Sequence, residues 1–247
     1  MNIKFFYFLI FLLFSCAHTR NLSSLQGKNT YEFSDISGSY ILEKQTIVKK
    51  NEIVTKTEIK SPASQLPLEK TIGVTQIGTV KDKKIPRPHI SQHTLWLEGK
   101  KYFSQLKVIP NERSLEVVTK SPEPRWNGKQ NYKFPSGKDV YCFFTQVVKC
   151  LRTVNYFNAS TATEAGGKID FYLIWDGFPY MGEQYDIVAD DPFERVTMYY
   201  EGREKNMYRY ILKIGNQVIL YQLDNDFEVD KMFWVSQGIS MIRKGEG

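Results

Sequence analysis

The stretch 207–223, MYRYILKIGNQVILYQL, leaves little choice of local structure. Successive side chains of a strand point to opposite faces. Alternation here puts Tyr208, Tyr210, Leu212 and Ile214 on one face, with Arg209 and Lys213 on the other. Gly215–Asn216 then supplies a two-residue turn whose twist matches that of the flanking strands. The stretch is predicted to be an antiparallel hairpin.

The same signature covers most of the chain. From Ser39 onward the sequence is rich in Ile, Val, Thr, Tyr and Phe, punctuated by turn residues. SYILEKQTIVKK and EIVTKTEIK flank a turn at Lys50–Asn51. HTLWLEGKKYFSQLKVI turns near Glu98–Gly99, and RSLEVVTK follows a turn at Pro110–Asn111. KIDFYLIW places Ile169, Phe171, Leu173 and Trp175 on one face. Glycines inside TIGVTQIGTV predict bends or bulges, and KMFWVSQGISMIRK reads as a last strand kinked at Gly238.

One segment departs from this pattern. In SGKDVYCFFTQVVKCLR, helical spacing gathers Val140, Phe143, Phe144, Val147, Val148 and Leu151 into one stripe. Ser136, with Asp139 three residues on, has the form of a capping box. The predicted fold class is mainly β: a large antiparallel, curved sheet, half-barrel or barrel-like, with one covering α-helix near 137–152. Cys142 and Cys150 are eight residues apart. That separates them by about 12 Å on a helix and about 26 Å on a strand. A disulfide needs Cα atoms within about 7 Å. Two free, buried thiols are expected, unless the chain bends between them.

The N-terminus has a different character. Phe5 to Phe14 is apolar throughout, after the single charge of Lys4. About 20 apolar residues are needed to cross a bilayer, and this run has roughly half of that. A basic residue, a short apolar core and a small residue at its end describe an export signal. The run closes on Leu13, Phe14, Ser15 and Cys16. This quartet resembles the lipobox of bacterial lipoproteins, with Phe14 bulkier than that pattern prefers. The resemblance implies cleavage after Ser15 and a diacylglycerol on the Cys16 sulfur. It is physically coherent, since a single acyl chain holds a protein only marginally and stable anchoring takes two or more. The residues after Cys16 are Ala17 and His18, not the aspartate that marks inner-membrane retention in Gram-negative members. The outer membrane, facing the periplasm or the cell surface, is therefore implied. The expected organisation is a cleaved signal at 1–15, a lipidated N-terminus and polar tether at 16–34, and one β-domain with an inserted helix at 35–247.

Composition narrows the function classes. Of 247 residues, 24% are charged and 14% aromatic, which excludes a disordered chain. Losing the leader with Lys4 lowers the formal charge of +6 to +5. The lysine clusters at 49–50, 81–84 and 100–101 do not interleave with stacking aromatics, so no nucleic-acid partner is expected.

No catalytic motif appears: there is no Gly-rich phosphate loop, G-x-S-x-G, H-E-x-x-H or C-x-x-C. His89 and His93 would stand about 13 Å apart in extended chain, so no metal is expected there. DNDFEVD, residues 224–230, has Val229 where an EF-hand loop needs glycine, and reads as a solvated turn. No cofactor is implied. The best candidate for a functional rim is the aromatic, Gly- and Pro-containing loop WDGFPYMGEQYDIVADD, with Trp175, Asp176, Tyr180, Glu183 and Tyr185.

An envelope lipoprotein with long meandering strands, a covering helix and no catalytic motif is similar in architecture to the LolA/LolB half-barrel carriers. The likeness spans roughly 35–245, and no motif carries it, so no binding residue transfers. It implies a lipid, glycolipid or other apolar envelope component held in an aromatic-lined concavity. The alternative is a lipid-tethered scaffold with a fully packed core, docking on another envelope protein. An enzyme is not expected.

Overall fold

The computed structural model describes residues 27–63, 66–135, 139–161, 167–180 and 191–245. The leader, Cys16, Ser136, Glu183 and Tyr185 lie outside the described residues. In the N-terminal half the strands are β1 (Gly27–Ser34), β2 (Ile41–Lys49), β3 (Glu52–Lys60), β4 (Pro67–Val80), β5 (Lys83–Leu97), β6 (Lys100–Ile109), β7 (Ser114–Lys120) and β8 (Gly128–Lys133). After β9 (Tyr141–Phe143) come the helices α1 (Val147–Thr153) and α2 (Tyr156–Thr161). Then follow β10 (Lys168–Ile174), β11 (Phe193–Glu204), β12 (Met207–Ile214), β13 (Gln217–Leu223), β14 (Val229–Trp234) and β15 (Ile239–Arg243).

The fifteen strands among the described residues form one sheet, ordered β8-β7-β6-β5-β4-β3-β2-β1-β15-β14-β13-β12-β11-β10-β9. Two meanders thus run outward from a central β1–β15 pair. Neighbours are antiparallel except β9 and β10, which are parallel. The sheet is curved but not closed. Its natural twist is sharpened by register shifts at Val74/Thr75, Tyr200/Gly202 and Gln222/Leu223. The two edges approach through aromatic rings rather than ladder bonds. Phe134, just past β8, meets Tyr141 at 4.7 Å and Phe193 at 4.9 Å between centroids.

Alternation and turn chemistry account for the strands that form as expected. Ile214 pairs with Gln217 across Gly215–Asn216, Lys49 with Glu52 and Leu97 with Lys100. Phe171, Leu173 and Trp175 are buried, as are Tyr210, Leu212 and Ile214. The main hydrophobic cluster joins these residues to α1, through Val147, Val148, Cys150 and Leu151.

Four expectations are corrected. Residues 27–34, placed in the tether, form β1, hydrogen-bonded to β2 along its length. Only Phe33 of that strand is buried, so alternation gave no strand signal. The single last strand is instead the hairpin β14–β15, because Gly238 (φ 65°) takes the left-handed conformation of a turn rather than kinking a strand. The helix is shorter than 137–152. Tyr141–Phe143 pair with β10 as β9, a 3-10 turn covers Phe144–Gln146, and α1 starts at Val147. The apolar stripe is nevertheless inward, with Phe143, Val147, Val148 and Leu151 buried.

That strand-to-helix bend brings the Cys142 and Cys150 Cα atoms to 5.8 Å, and the two form a disulfide. The free-thiol expectation fails because neither regular state spans the segment. A closed loop this short removes about 2–3 kcal/mol of denatured-state entropy. The Cys142→Ala/Cys150→Ala double variant is expected to unfold at correspondingly lower denaturant, and reductant should destabilise only the parent protein. Equal midpoints in chemical denaturation would count against the bridge.

Candidate functional site

The inner face of the N-terminal half-sheet is unusually polar. Thr55, Thr57, Thr71, Thr75, Ser91, His93 and Ser104 are all buried, and buried polar groups need partners. For Thr75, Ser91 and Ser104 the partners come from two inserted segments, the 3-10 turn at Phe144–Gln146 and the loop that follows β10, while Thr71 and His93 pair with each other. Gln146 accepts from Thr75 Oγ1 at 2.5 Å and donates to the Gly73 carbonyl at 2.8 Å. A Cβ on Gly73 would stand 3.3 Å from the Gln146 amide, so glycine leaves the room this contact needs. Asp176 accepts from Ser91 Oγ and from the Thr145 N–H, both at 2.8 Å. Ser104 Oγ donates to the Phe178 carbonyl at 2.5 Å.

The predicted rim is therefore an interior plug in its described part. Trp175, Asp176 and Tyr180 are 2%, 0% and 4% exposed. The structure brings these three into the core, Trp175 stacked on Trp234 at 6.2 Å and Tyr180 edge-on to Tyr102 at 5.5 Å. An interior this polar displaces the acid–base behaviour of its groups. Burial pushes Asp176 up to about 6, opposed by its two hydrogen bonds. Glu69 rises to about 7, through burial first and the Asp176 charge second. His93, whose Nδ1 lies 3.0 Å from Thr71 Oγ1, is driven down to about 4 by burial and stays neutral at pH 7.

Beside the plug lies a cavity of about 370 Å³. Phe33, Leu42, Ile59, Leu68 and Leu95 line the sheet side. Val147 and Val148 of α1, with Met232, Trp234 and Met241 of the C-terminal meander, line the other. Leu68 is 40% exposed and marks where the cavity opens. Near this opening Tyr40 donates its hydroxyl to the Ser240 carbonyl, tying the β1–β2 connection to β15.

Besides the hydroxyls of Tyr40 and Tyr221, two ionisable side chains border this apolar space, Lys44 and Glu69. Lys44 Nζ donates to the Thr145 carbonyl at 2.9 Å and has no ion pair among the described residues. Protein surrounds it, yet it keeps some accessible surface because it faces the cavity. Burial brings its pKa down to about 8, with Lys149 pushing the same way and Glu228 and Asp176 opposing. Glu69 Oε2 is buried without a hydrogen-bond partner.

No motif marks Lys44 or Glu69, but a signal is present in the alternation. Lys44 is in phase with buried Leu42 and Thr46, and Glu69 with buried Thr71, Gly73, Thr75 and Ile77. A charge in phase with the dry face of a strand is the readable cue. Elsewhere, DNDFEVD is an ion-pair node rather than a solvated turn. Asp224 and Asp230 hold Arg243 at 2.9 and 3.2 Å, and Glu228 is buried against Lys149 and Arg152. No group of three His, Cys, Asp or Glu side chains that could hold a metal occurs among the described residues.

Comparison of the chain with protein families, with curated proteins and with solved structures found no match.

Proposed function

We propose that this chain is a lipoprotein, anchored in the outer membrane through acylated Cys16, whose β-domain binds a lipid or other apolar envelope component. The cavity carries this reading. Protein interiors leave few voids larger than a water molecule, while ligand pockets are mostly apolar and start at about 300 Å³. A space of about 370 Å³, apolar over most of its wall and open at Leu68, has the character of a pocket. It also counts against a scaffold whose core is fully packed.

Among the described residues every strand and helix lies within 27–243, so protein made without residues 1–16 retains all of these elements. Native mass spectrometry and organic extraction of that protein are expected to reveal a co-purifying lipid. Clean apo protein that also ignores an apolar fluorescent probe would sink the proposal. The anchor has a separate test. Cys16→Ser should abolish acyl labelling and release the protein from membranes, and unchanged labelling and fractionation would refute it.

One observation favours docking on an envelope protein as a second reading. Ile36, Leu66, Leu97 and Val235 are 86%, 64%, 55% and 48% exposed, and strand alternation puts all four connections at the sheet end where β4 begins. Pull-down from envelope membranes tests it: loss of a captured partner on replacing these residues by serine would support docking, and undiminished capture would oppose it.

A further inference from the structure

We infer that the cavity is selective for a single-chain amphiphile with an anionic head, a long-chain carboxylate, whose head is met by the Lys44 ammonium while its chain fills the apolar space toward Leu68. This rests on the reading of the cavity as a lipid site and names the ligand class.

Size sets the number of chains. The cavity of about 370 Å³ lies at the lower end of the range for ligand pockets, about 300–1,000 Å³, which suits one acyl chain rather than two chains with a glycerol head.

The layering of the wall sets the polarity. Strand register places Lys44 opposite Thr57, Thr57 opposite Thr71 and Thr71 opposite His93. This is a polar row across four strands. The next inward row toward the opening is Leu42, Ile59, Glu69 and Leu95, apolar except for Glu69, and Leu68 lies beyond it. The site is thus polar at its floor and apolar above.

Charge sets the head group. A buried cation is costly unless paired. Lys44 offers three donors, and among the described residues one is used, on a neutral carbonyl. An ammonium with spare donors, facing enclosed apolar space, matches a carboxylate head in a charge-assisted contact. A neutral chain would leave it unmatched.

The test is displacement of a fluorescent fatty acid, cis-parinaric acid, from protein lacking residues 1–16. The competitors are palmitate and hexadecanol, which share a chain length and differ in head charge. Palmitate is expected to displace the probe at a concentration at least tenfold lower. Lys44→Met should shrink that ratio below threefold, and Lys44→Arg, which keeps the charge, should preserve it. Equal displacement by both competitors, or a ratio untouched in Lys44→Met, would overturn the inference while leaving a lipid site intact. Failure of the probe to bind at all would remove the lipid reading and this inference together.

Discussion

Glu228→Ala is expected to lower stability by about 3–5 kcal/mol, the range seen when one partner of a buried ion pair is removed. The Glu228 carboxylate is hydrogen-bonded to Lys149 Nζ and lies 3.1 Å from Arg152 Nη1. Glu228 and Lys149 are 7% and 8% exposed. Burial already lowers the Lys149 pKa, and Glu228 opposes that. Without the carboxylate, Lys149 is a desolvated cation beside a second one. The pair also has a structural role, since it fastens α1 to the β13–β14 connection. In that connection Asp224 Oδ1 accepts from the Glu228 N–H at 2.9 Å. Urea unfolding measures the loss, and a change below 1 kcal/mol would show that the pair is not buried in solution. Lys149→Met/Glu228→Leu supplies the control. Replacing both charges by apolar groups of similar size is often neutral or stabilising, so the double variant should recover most of the loss.

What the sequence reveals of this protein follows from how far each cue reaches along the chain. Alternation and turn residues are local, and they suffice for β2 to β4, for the second half of β5, and for β6, β7, β10, β12 and β13. Gly215–Asn216 is a turn by its own chemistry, whatever surrounds it. β1 is a strand for a non-local reason: β2 covers one edge along its length and β15 takes up the end of the other. Its sequence GKNTYEFS buries one side chain, so no period was there to find. The Cys142–Cys150 bridge depends on a bend at Phe144–Gln146, which arises because Tyr141–Phe143 are claimed by β10.

The candidate site divides in the same way. Trp175, Asp176 and Tyr180 stand out by composition, but composition does not distinguish a rim from a plug. That distinction lies in Ser91, Ser104 and Thr145, which supply partners from 31 to 85 residues away for Asp176 and Phe178. Lys44 was legible in principle, since its phase with Leu42 and Thr46 is printed in the sequence. Assigning it a cavity required α1 to be set opposite.

Lys44→Met is expected to stabilise the ligand-free protein at pH 7 and to lose that advantage as pH rises. The Lys44 pKa falls from 10.5 to about 8 on folding, which corresponds to a cost of about 3 kcal/mol to the folded state when the side chain is charged. Between pH 8 and 10.5 the unfolded chain binds the proton more tightly than the folded one. Stability of the parent protein therefore rises with pH through that window. The penalty is complete below pH 8 and gone above 10.5. Methionine has no charge and no such dependence, and its flexible thioether fits an irregular apolar gap. The gap between the two proteins should be about 3 kcal/mol at pH 7 and should shrink steadily toward pH 10. Burial also raises the Tyr221 hydroxyl, but this is common to both proteins and cancels in the difference. Urea midpoints at pH 7, 9 and 10 measure the gap, and a constant difference would show that Lys44 is solvated. A cation held in an apolar cavity at a cost to stability is what a binding site requires and a purely structural sheet does not. A carboxylate ligand that binds only the folded state adds stability by mass action. Saturating palmitate should therefore raise the parent protein more than Lys44→Met and close part of the gap at pH 7, where the lysine is charged and the penalty is complete.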